Sequence, residues 1–348
     1  MHKFLALIFV SFLFACKPGG DDTVYRLVQG ETMGTYYRVT YEGAKNHQYN
    51  LDSLLVAIND ELSTYIPESA ISRFNRMATS DSLVLTYADQ DSIDWHFHRN
   101  MEKAKEVYEN SEGAFNPCVM PLVNYWGFGY TEKRPVTSVD SVKVDSLMKL
   151  VRFNDIVWGR NADSFFMKKV KKGIELDLSA IAKGYAVDRL AEWLEDQGCG
   201  NYLVDIGGEA RGKGVNARGI IWTTGINTPK EGASEKDIMA VLELSNVAVA
   251  TSGNYRNFYE VDGQKFSHTI NPWTGFPERS QLLSVSVIAD DCTTADAYAT
   301  ACMVKGLSDA KEMVEEIEGV EAYFIFSDDT GNLQAAQSTG FSQYLKSN

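Results

Sequence analysis

The sequence predicts an α+β fold built as one compact unit, on three observations. Strand-like and helical segments mix without the strict strand–helix–strand alternation of a parallel, doubly wound sheet. Asp262-Gly263, lying between Tyr255–Glu260 and Gln264–Ile270, is a strong signal for an antiparallel hairpin. No Pro/Gly/Ser-rich linker divides the body, and no internal repeat is visible. With 44% hydrophobic residues over 348 positions, the chain can bury a full core. Its 47 acidic against 33 basic residues give a formal charge of −14, with no basic stripe to interrupt it. Such a body repels a phosphate backbone, which excludes general nucleic-acid binding. Any phosphate it handles must be met locally, by a metal or a few placed donors.

The elements follow in order. Met1-His2-Lys3 is a short basic start, and Phe4 to Ala15 carries no charge. A helix of that length spans about 18 Å, too short for a hydrocarbon core of roughly 30 Å. It reads as a signal peptide over residues 1–15, ending Leu13-Phe14-Ala15-Cys16. That ending resembles the lipobox of bacterial lipoproteins, in which the cysteine becomes the lipidated N-terminus; an ordinary secretory signal is the alternative. Residues 16–22 form a polar tether and residues 23–348 the folded part. Thr23 to Tyr41 predicts strands around a Met33-Gly34-Thr35 turn. Leu51, Leu54, Leu55, Ile58 and Leu62 repeat at helical spacing, and a second helix covers Ser92–Asn110. Pro135 to Asp145 reads as a loop into a short helix near Leu147, and Ile174 to Leu178 as strand-like. Ser179–Gln197 is the clearest helix, stopped by Gly198. Tyr202–Ile206, Leu283–Ala289 and Ala322–Phe326 are strands; Thr294–Lys305 and Ser308–Glu318 are helices. Cys118, Cys199, Cys292 and Cys302 form no CxxC pair and no Cys/His cluster, so zinc is disfavoured. Disulfides among them are left open, with buried free thiols the plainer reading.

Four segments can carry chemistry. Gly207 to Gly214 comes within one residue of a P-loop, but position 214 is Gly and no helix start follows. The glycines therefore predict a tight turn. Asp296 and Thr300, four apart, share one helix face and could offer oxygens to a hard cation such as Mg²⁺. On spacing alone, a role in capping the helix start leads for this pair. Asp177 to Gly184 enters the long helix, whose N-terminus suits an anion, with Lys183 as an added cation; a plain capping role is equally supported. His268 ends a hairpin strand before a Pro/Gly turn, where it could act as a general base, although a lone histidine is more often structural.

Taken together and in this order, these segments resemble the ApbE family of FAD:protein FMN transferases. The resemblance is carried by Thr32-Met33-Gly34-Thr35; Leu62-Ser63-Thr64-Tyr65; Ser69 to Asn75; Gly113 to Pro117 with Pro121 to Gly129; Asp177 to Asp188; Val204 to Gly208; Thr251 to Arg256; His268 to Gly275; and Ala295 to Thr300. Each is weak singly, and it is their shared register that carries the likeness. The resemblance implies Mg²⁺-dependent transfer of the FMN half of FAD to a Thr or Ser hydroxyl of a partner flavoprotein, with release of AMP. It implies an FAD site of Met33, Tyr65, Ala114, Phe115, Asn116, Asp177, Lys183 and Ile270. The metal would be held by Asp296, Thr300 and the carbonyl of Ala180, which reverses the order of readings for the helix pair. His268 would be the base. The implied acceptor is a subunit of a membrane redox complex of the sodium-pumping NADH:quinone reductase or Rnf type. The implied location is lipid-anchored through Cys16 at the periplasmic face of the inner membrane. Asn116 stands in place of a common Asp, Cys118 of a Thr, and Asn271 of the Asp in the DPxTG-type turn. None of these removes a metal ligand. An Mg²⁺-dependent FAD pyrophosphatase, an FAD-binding lipoprotein without turnover and a surface-binding lipoprotein are the alternatives.

Overall fold

The computed structural model describes residues 24–86, 94–131, 136, 139–161, 164–230, 237–254, 258–261 and 264–346. The signal peptide, Cys16 and the tether lie outside them, as do the turn residues Asp262 and Gly263. Among the described residues, no helix is long and apolar enough to cross a membrane.

The frame is an eight-stranded antiparallel sheet. In spatial order its strands are β1 (Tyr25–Thr32), β2 (Thr35–Glu42), β6 (Tyr202–Ile206), β7 (Glu209–Lys213), β10 (Val247–Gly253), β13 (Leu282–Ala289), β14 (Glu321–Ser327) and β15 (Leu333–Gln337). Smaller sheets pair β3 (Leu83–Thr86), β5 (Ser164–Lys169) and β4 (Ile156–Arg160); β8 (Trp222–Asn227) with β9 (Ile238–Leu244); and β11 (Phe258–Val261) with β12 (Gln264–Ser267). The helices are α1 (Gln48–Leu62), α2 (Ala70–Arg76), α3 (Asp94–Asn110), α4 (Met120–Tyr125), α5 (Ser141–Met148), α6 (Ser179–Asp196) and α7 (Cys292–Glu316). This is the α+β architecture expected.

Side chains alternate across each strand, so the sheet divides two cores. Ala248 and Ala250 of β10 face the main core with Tyr37, Val39, Val204, Val285 and Val287, covered by α1, α6 and α7. Val247 and Val249 face the opposite side, where Trp222, Leu242, Leu244 and Phe341 close a second core. A third cluster joins Leu122, Trp126, Val144, Val151 and Ile270.

Several local expectations change. Ile174–Leu178 belongs to no sheet: at Leu176 a side chain takes the bonds a ladder would supply. The two late helices are present as expected: α7 is two helices in sequence, separated by a kink at Gly306, whose φ of 75° and ψ of 174° lie outside the helical region. The polar stretch before Leu147 turns helical at Ser141, capped by Asp140, which accepts from the Lys143 amide at 3.0 Å. Strands β3, β4, β5, β8, β9 and β15, and the short helices α2 and α4, had no sequence signal strong enough to place them, whereas Ala322–Phe326 forms β14 as expected. Cys118, Cys199, Cys292 and Cys302 are all buried free thiols.

Candidate active site

One end of the large sheet collects most of the predicted residues. Tyr37 of β2 pairs with Ile206 of β6, so the β1–β2 turn and the β6–β7 turn lie side by side at that end. Met33 and Gly34 both have positive φ, the backbone of a tight two-residue hairpin. Gly207 and Gly208 do likewise, so the P-loop-like stretch opens on the expected tight turn and continues as strand β7. A Cβ on Gly207 would lie 2.7 Å from Thr35 Cγ2, so the two turns touch. Asn59 of α1 donates to Thr32 Oγ1 at 3.0 Å and ties the end of that helix to the same corner. Tyr65 follows, exposed, and close enough to Asp177 that the carboxylate helps raise the phenol pKa, after burial.

Helices α6 and α7 cross here. Asp296 lies in the fifth position of α7 and does not cap it. The cap is Asp291, which accepts from Thr294 N at 2.7 Å and Thr294 Oγ1 at 2.8 Å. The Asp296 carboxylate instead reaches the other helix, accepting from Gly184 N at 2.9 Å. Gly184 N–H is the amide that α-helical geometry directs at the Ala180 carbonyl, so the carboxylate is drawn toward that carbonyl. Only glycine permits the approach: a Cβ on residue 184 would lie 2.7 Å from Cys292 C and 2.8 Å from Asp296 Cβ.

The electrostatics of this crossing are unbalanced. Lys183 bridges to Glu209 of β7 and also faces Asp296. Its ammonium is held charged by two carboxylates, which outweigh its desolvation. Glu209 moves the other way: burial pushes its carboxyl up, and Asp296 adds repulsion that Lys183 offsets only in part. Asp296 is raised as well, again by burial. Two buried acids thus share one ammonium, and Glu209 Oε2 has no hydrogen-bond partner among the described residues. Asp177 is raised by burial against two opposing bonds from Ser179, whose amide it accepts at 2.9 Å. That bond makes Asp177 the capping group at the start of α6, since Leu178 offers none.

A chain of contacts joins α7 to the histidine. One turn after Asp296, Thr300 Oγ1 lies 3.3 Å from Ser252 Oγ of β10. Two residues on, Asn254 accepts from Thr269 Oγ1 at 2.8 Å, between His268 and Ile270. His268 is half-buried with its ring edge-on to Phe128, 6.5 Å between centroids. Ile270 is buried in the third cluster and bridges to Pro277. Asn271 fills its turn as an Asp would: its Oδ1 accepts from Trp273 N at 2.9 Å and Thr274 N at 3.1 Å.

Ala114 and Phe115 are both buried in the main core, so only their backbone is left to meet a ligand. Asn116 is half-buried and accepts from Cys118 N at 2.9 Å. Its neighbour Pro117 accepts from Asp177 N at 2.7 Å, joining the 114–116 loop to the entry of α6. Trp273 donates from its indole to Glu112 O at 3.3 Å, linking the histidine turn to the same loop. Ala180, Asp296 and Thr300 therefore share one crossing, Met33, Tyr65, Asp177 and Lys183 flank it, and His268 and Ile270 connect through Ser252, Asn254 and Thr269. Sequence reading missed Glu209, which it met only within the P-loop decoy. It met Ser252 and Asn254 only within the Thr251–Arg256 run and gave them no role, since their small polar side chains carry no periodic signal.

The ApbE family model matches residues 33–324. A relative from Vibrio cholerae serotype O1, an FAD:protein FMN transferase, is 35% identical over 341 residues, covering 96% of this chain and 96% of its own. The protein of that name from Escherichia coli K12 is 33% identical over 308 residues, 87% of this chain and 84% of its own. Among solved structures, flavin transferase ApbE from Vibrio cholerae superposes with a TM-score of 0.80 at 31% identity, covering 93% of this chain and 100% of that one. The ApbE protein of Thermotoga maritima gives 0.75 at 26% identity, over 93% and 100%. The chain belongs to the ApbE family.

Proposed function

We propose that this chain is a flavin transferase that moves the FMN half of FAD onto a Thr or Ser hydroxyl of a partner flavoprotein, using Mg²⁺ and releasing AMP. The observation that carries the reading is the meeting of Asp296, the Ala180 turn and Lys183 at one helix crossing, with His268 tethered to it through Thr300, Ser252, Asn254 and Thr269. The reaction class rests on relatives named FAD:protein FMN transferase at about one-third identity over nearly the whole chain.

The residues fit a hard cation. Asp296, Thr300 and the Ala180 carbonyl form an all-oxygen set, and Mg²⁺ needs few protein ligands beside substrate phosphates. The two buried acids with a single ammonium between them are the charge deficit a divalent ion would relieve. Bound there, Mg²⁺ supplies charge withdrawal from the pyrophosphate and stabilises the departing phosphate. Lys183 and the free amides at the start of α6 add positive potential on the same side. His268 accepts the proton of the acceptor hydroxyl. The hydroxyl oxygen bonds to the FMN-side phosphorus, the bond from that phosphorus to the bridging oxygen breaks, and AMP leaves with that oxygen. Tyr65 presents an exposed ring against which a flat heterocycle can lie.

On the same reading, the mature chain is exported and held by a lipid on Cys16, facing an acceptor subunit of an Nqr- or Rnf-type complex. The test is incubation with FAD, Mg²⁺ and a co-expressed acceptor, followed by mass spectrometry for an added FMN on Thr or Ser. Asp296→Ala is expected to abolish the modification. Free FMN with an unmodified acceptor would assign the chain to FAD hydrolysis instead.

A further inference from the structure

The segment that delivers Asp177 to the flavin site is held by side chains where a strand would be held by a ladder. Residues 174–178 belong to no strand or helix, yet Ile174, Leu176 and Leu178 are fully buried, where an unsatisfied amide or carbonyl is costly. Asn75, at the end of α2 and itself buried, grips both sides of Leu176: it accepts from Leu176 N at 2.7 Å and donates to Leu176 O at 2.9 Å. Lys169, the last residue of β5 and 1% exposed, donates to Ile174 O at 3.0 Å and to Asn75 O at 2.8 Å. The Asn75 carbonyl lies in the last turn of α2, where carbonyls lack helical partners and a cation is favoured. The ammonium also lies 5.3 Å from the Phe74 ring centroid. Beyond Leu176, Asp177 N donates to Pro117 O.

A fully buried lysine is expensive, and its pKa is pulled down by that burial. A methionine of similar length would fill the space without that cost. What it cannot do is bond two carbonyls from different parts of the chain at once.

We propose that Asn75 and Lys169 are positioning residues for FAD, fixing the backbone of 174–176 so that the Asp177 carboxylate and the start of α6 face the flavin. The inference deepens the flavin-transferase reading and rests on it. Neither residue touches substrate; both act through Asp177.

The test measures FAD affinity by quenching of flavin fluorescence in the presence of Mg²⁺, at a low temperature where each variant keeps its far-UV circular dichroism. Asn75→Ala and Lys169→Met are expected to weaken FAD binding at least tenfold. Hydrogen exchange should also quicken in the peptide containing Leu176 and Asp177, with α7 unchanged. Where either variant does not fold, Asn75→Asp keeps the shape and the acceptor for Leu176 N but loses the donor, and the same threshold applies to it. A purely structural role would lower the melting temperature and leave affinity within twofold of the parent, and that result overturns the proposal. Asp177→Ala separates the two levels. If it binds FAD like the parent, the flavin-site reading itself fails; if it weakens FAD while the folded Asn75 and Lys169 variants do not, only the clamp fails.

Discussion

At the scale of the residue, charge placement decides what Lys183 does. It stands between Glu209 and Asp296, so removing it strands two buried carboxylates. Lys183→Met is expected to cost about 2 kcal/mol in chemical denaturation, below the usual range for a broken buried pair because the lysine is partly open to solvent. Added Mg²⁺ should recover part of that loss if the cation seat is where we place it. His96 gives a second residue-scale prediction. Burial first, then the Arg189 and Arg99 cations, lowers its pKa to about 3, and its Nδ1 lies 2.8 Å from Tyr185 Oη. The native ring therefore stays neutral while the unfolded one gains a proton near pH 6.5. Its contribution is complete above pH 6.5 and is lost as the pH falls toward 3, at about 1.4 kcal/mol per pH unit. Unfolding free energies of the parent and His96→Gln should diverge with that slope below pH 6; parallel curves would refute the assignment. The acid/base candidates were legible in the sequence because Asp296, Thr300, Asp177 and His268 stand in short recognisable runs. Glu209 was hidden in a glycine-rich turn that resembled something else, and nothing in its spacing announces that it lies beneath Lys183.

At the scale of the element, the crossing of α6 and α7 is fixed by a glycine and an aspartate. Asp188 of α6 accepts from Cys292 N at 2.9 Å, Thr293 N at 2.8 Å and Arg211 Nη1 at 2.9 Å, so it holds the first turn of α7 against both α6 and β7. Gly184, one turn earlier, lets the helices meet. Gly184→Ala gains about 0.5–1 kcal/mol of helix propensity. It then drives a methyl into the Cys292 backbone, which cannot swing away as a side chain can. A net loss of about 3 kcal/mol is expected, with flavin-transfer turnover falling further than stability alone explains. Equal stability in the two proteins would show that the helices slide apart freely. Helices α1, α3 and α6 were readable from their apolar spacing, since each buries one stripe. Strands β8 and β9 were not: Trp222-Thr223-Thr224-Gly225 and the residues around Ile238 alternate weakly, and their place is set by the second core. Ile174–Leu178 misled for a reason now visible. Its apolar alternation is real, but Asn75 and Lys169 supply the pairing.

At the scale of the whole molecule, the large sheet works as a partition with a busy rim. Its two faces bury separate cores while the turns at one end hold the polar groups, so packing and chemistry occupy different parts of the same strands. The four described cysteines are buried, Cys292 of them where α6 and α7 cross. Burial drives the Cys118 and Cys302 thiols up, the latter to about 12, and neither forms a disulfide. Reducing agent is therefore expected to leave the melting temperature unchanged, and a thiol reagent to label these four only after unfolding. Rapid labelling in the native state would contradict the burial.

The strand order carries a temporal consequence. The strands of the large sheet stand in chain order, so β10 and β13 add at the edge left by β7 and α7 then packs over them; only after that do residues near 252 and 296 join those near 33, 180 and 207. Such long sequence separations make assembly slow, because each loop must close before its contacts reward it. A polypeptide that stops just before α7 would keep the Ala180 carbonyl but lack Asp296 and Thr300, two of the three proposed cation ligands. Catalytic competence is thus among the last things this protein acquires, and a truncated product could accumulate without ever consuming flavin.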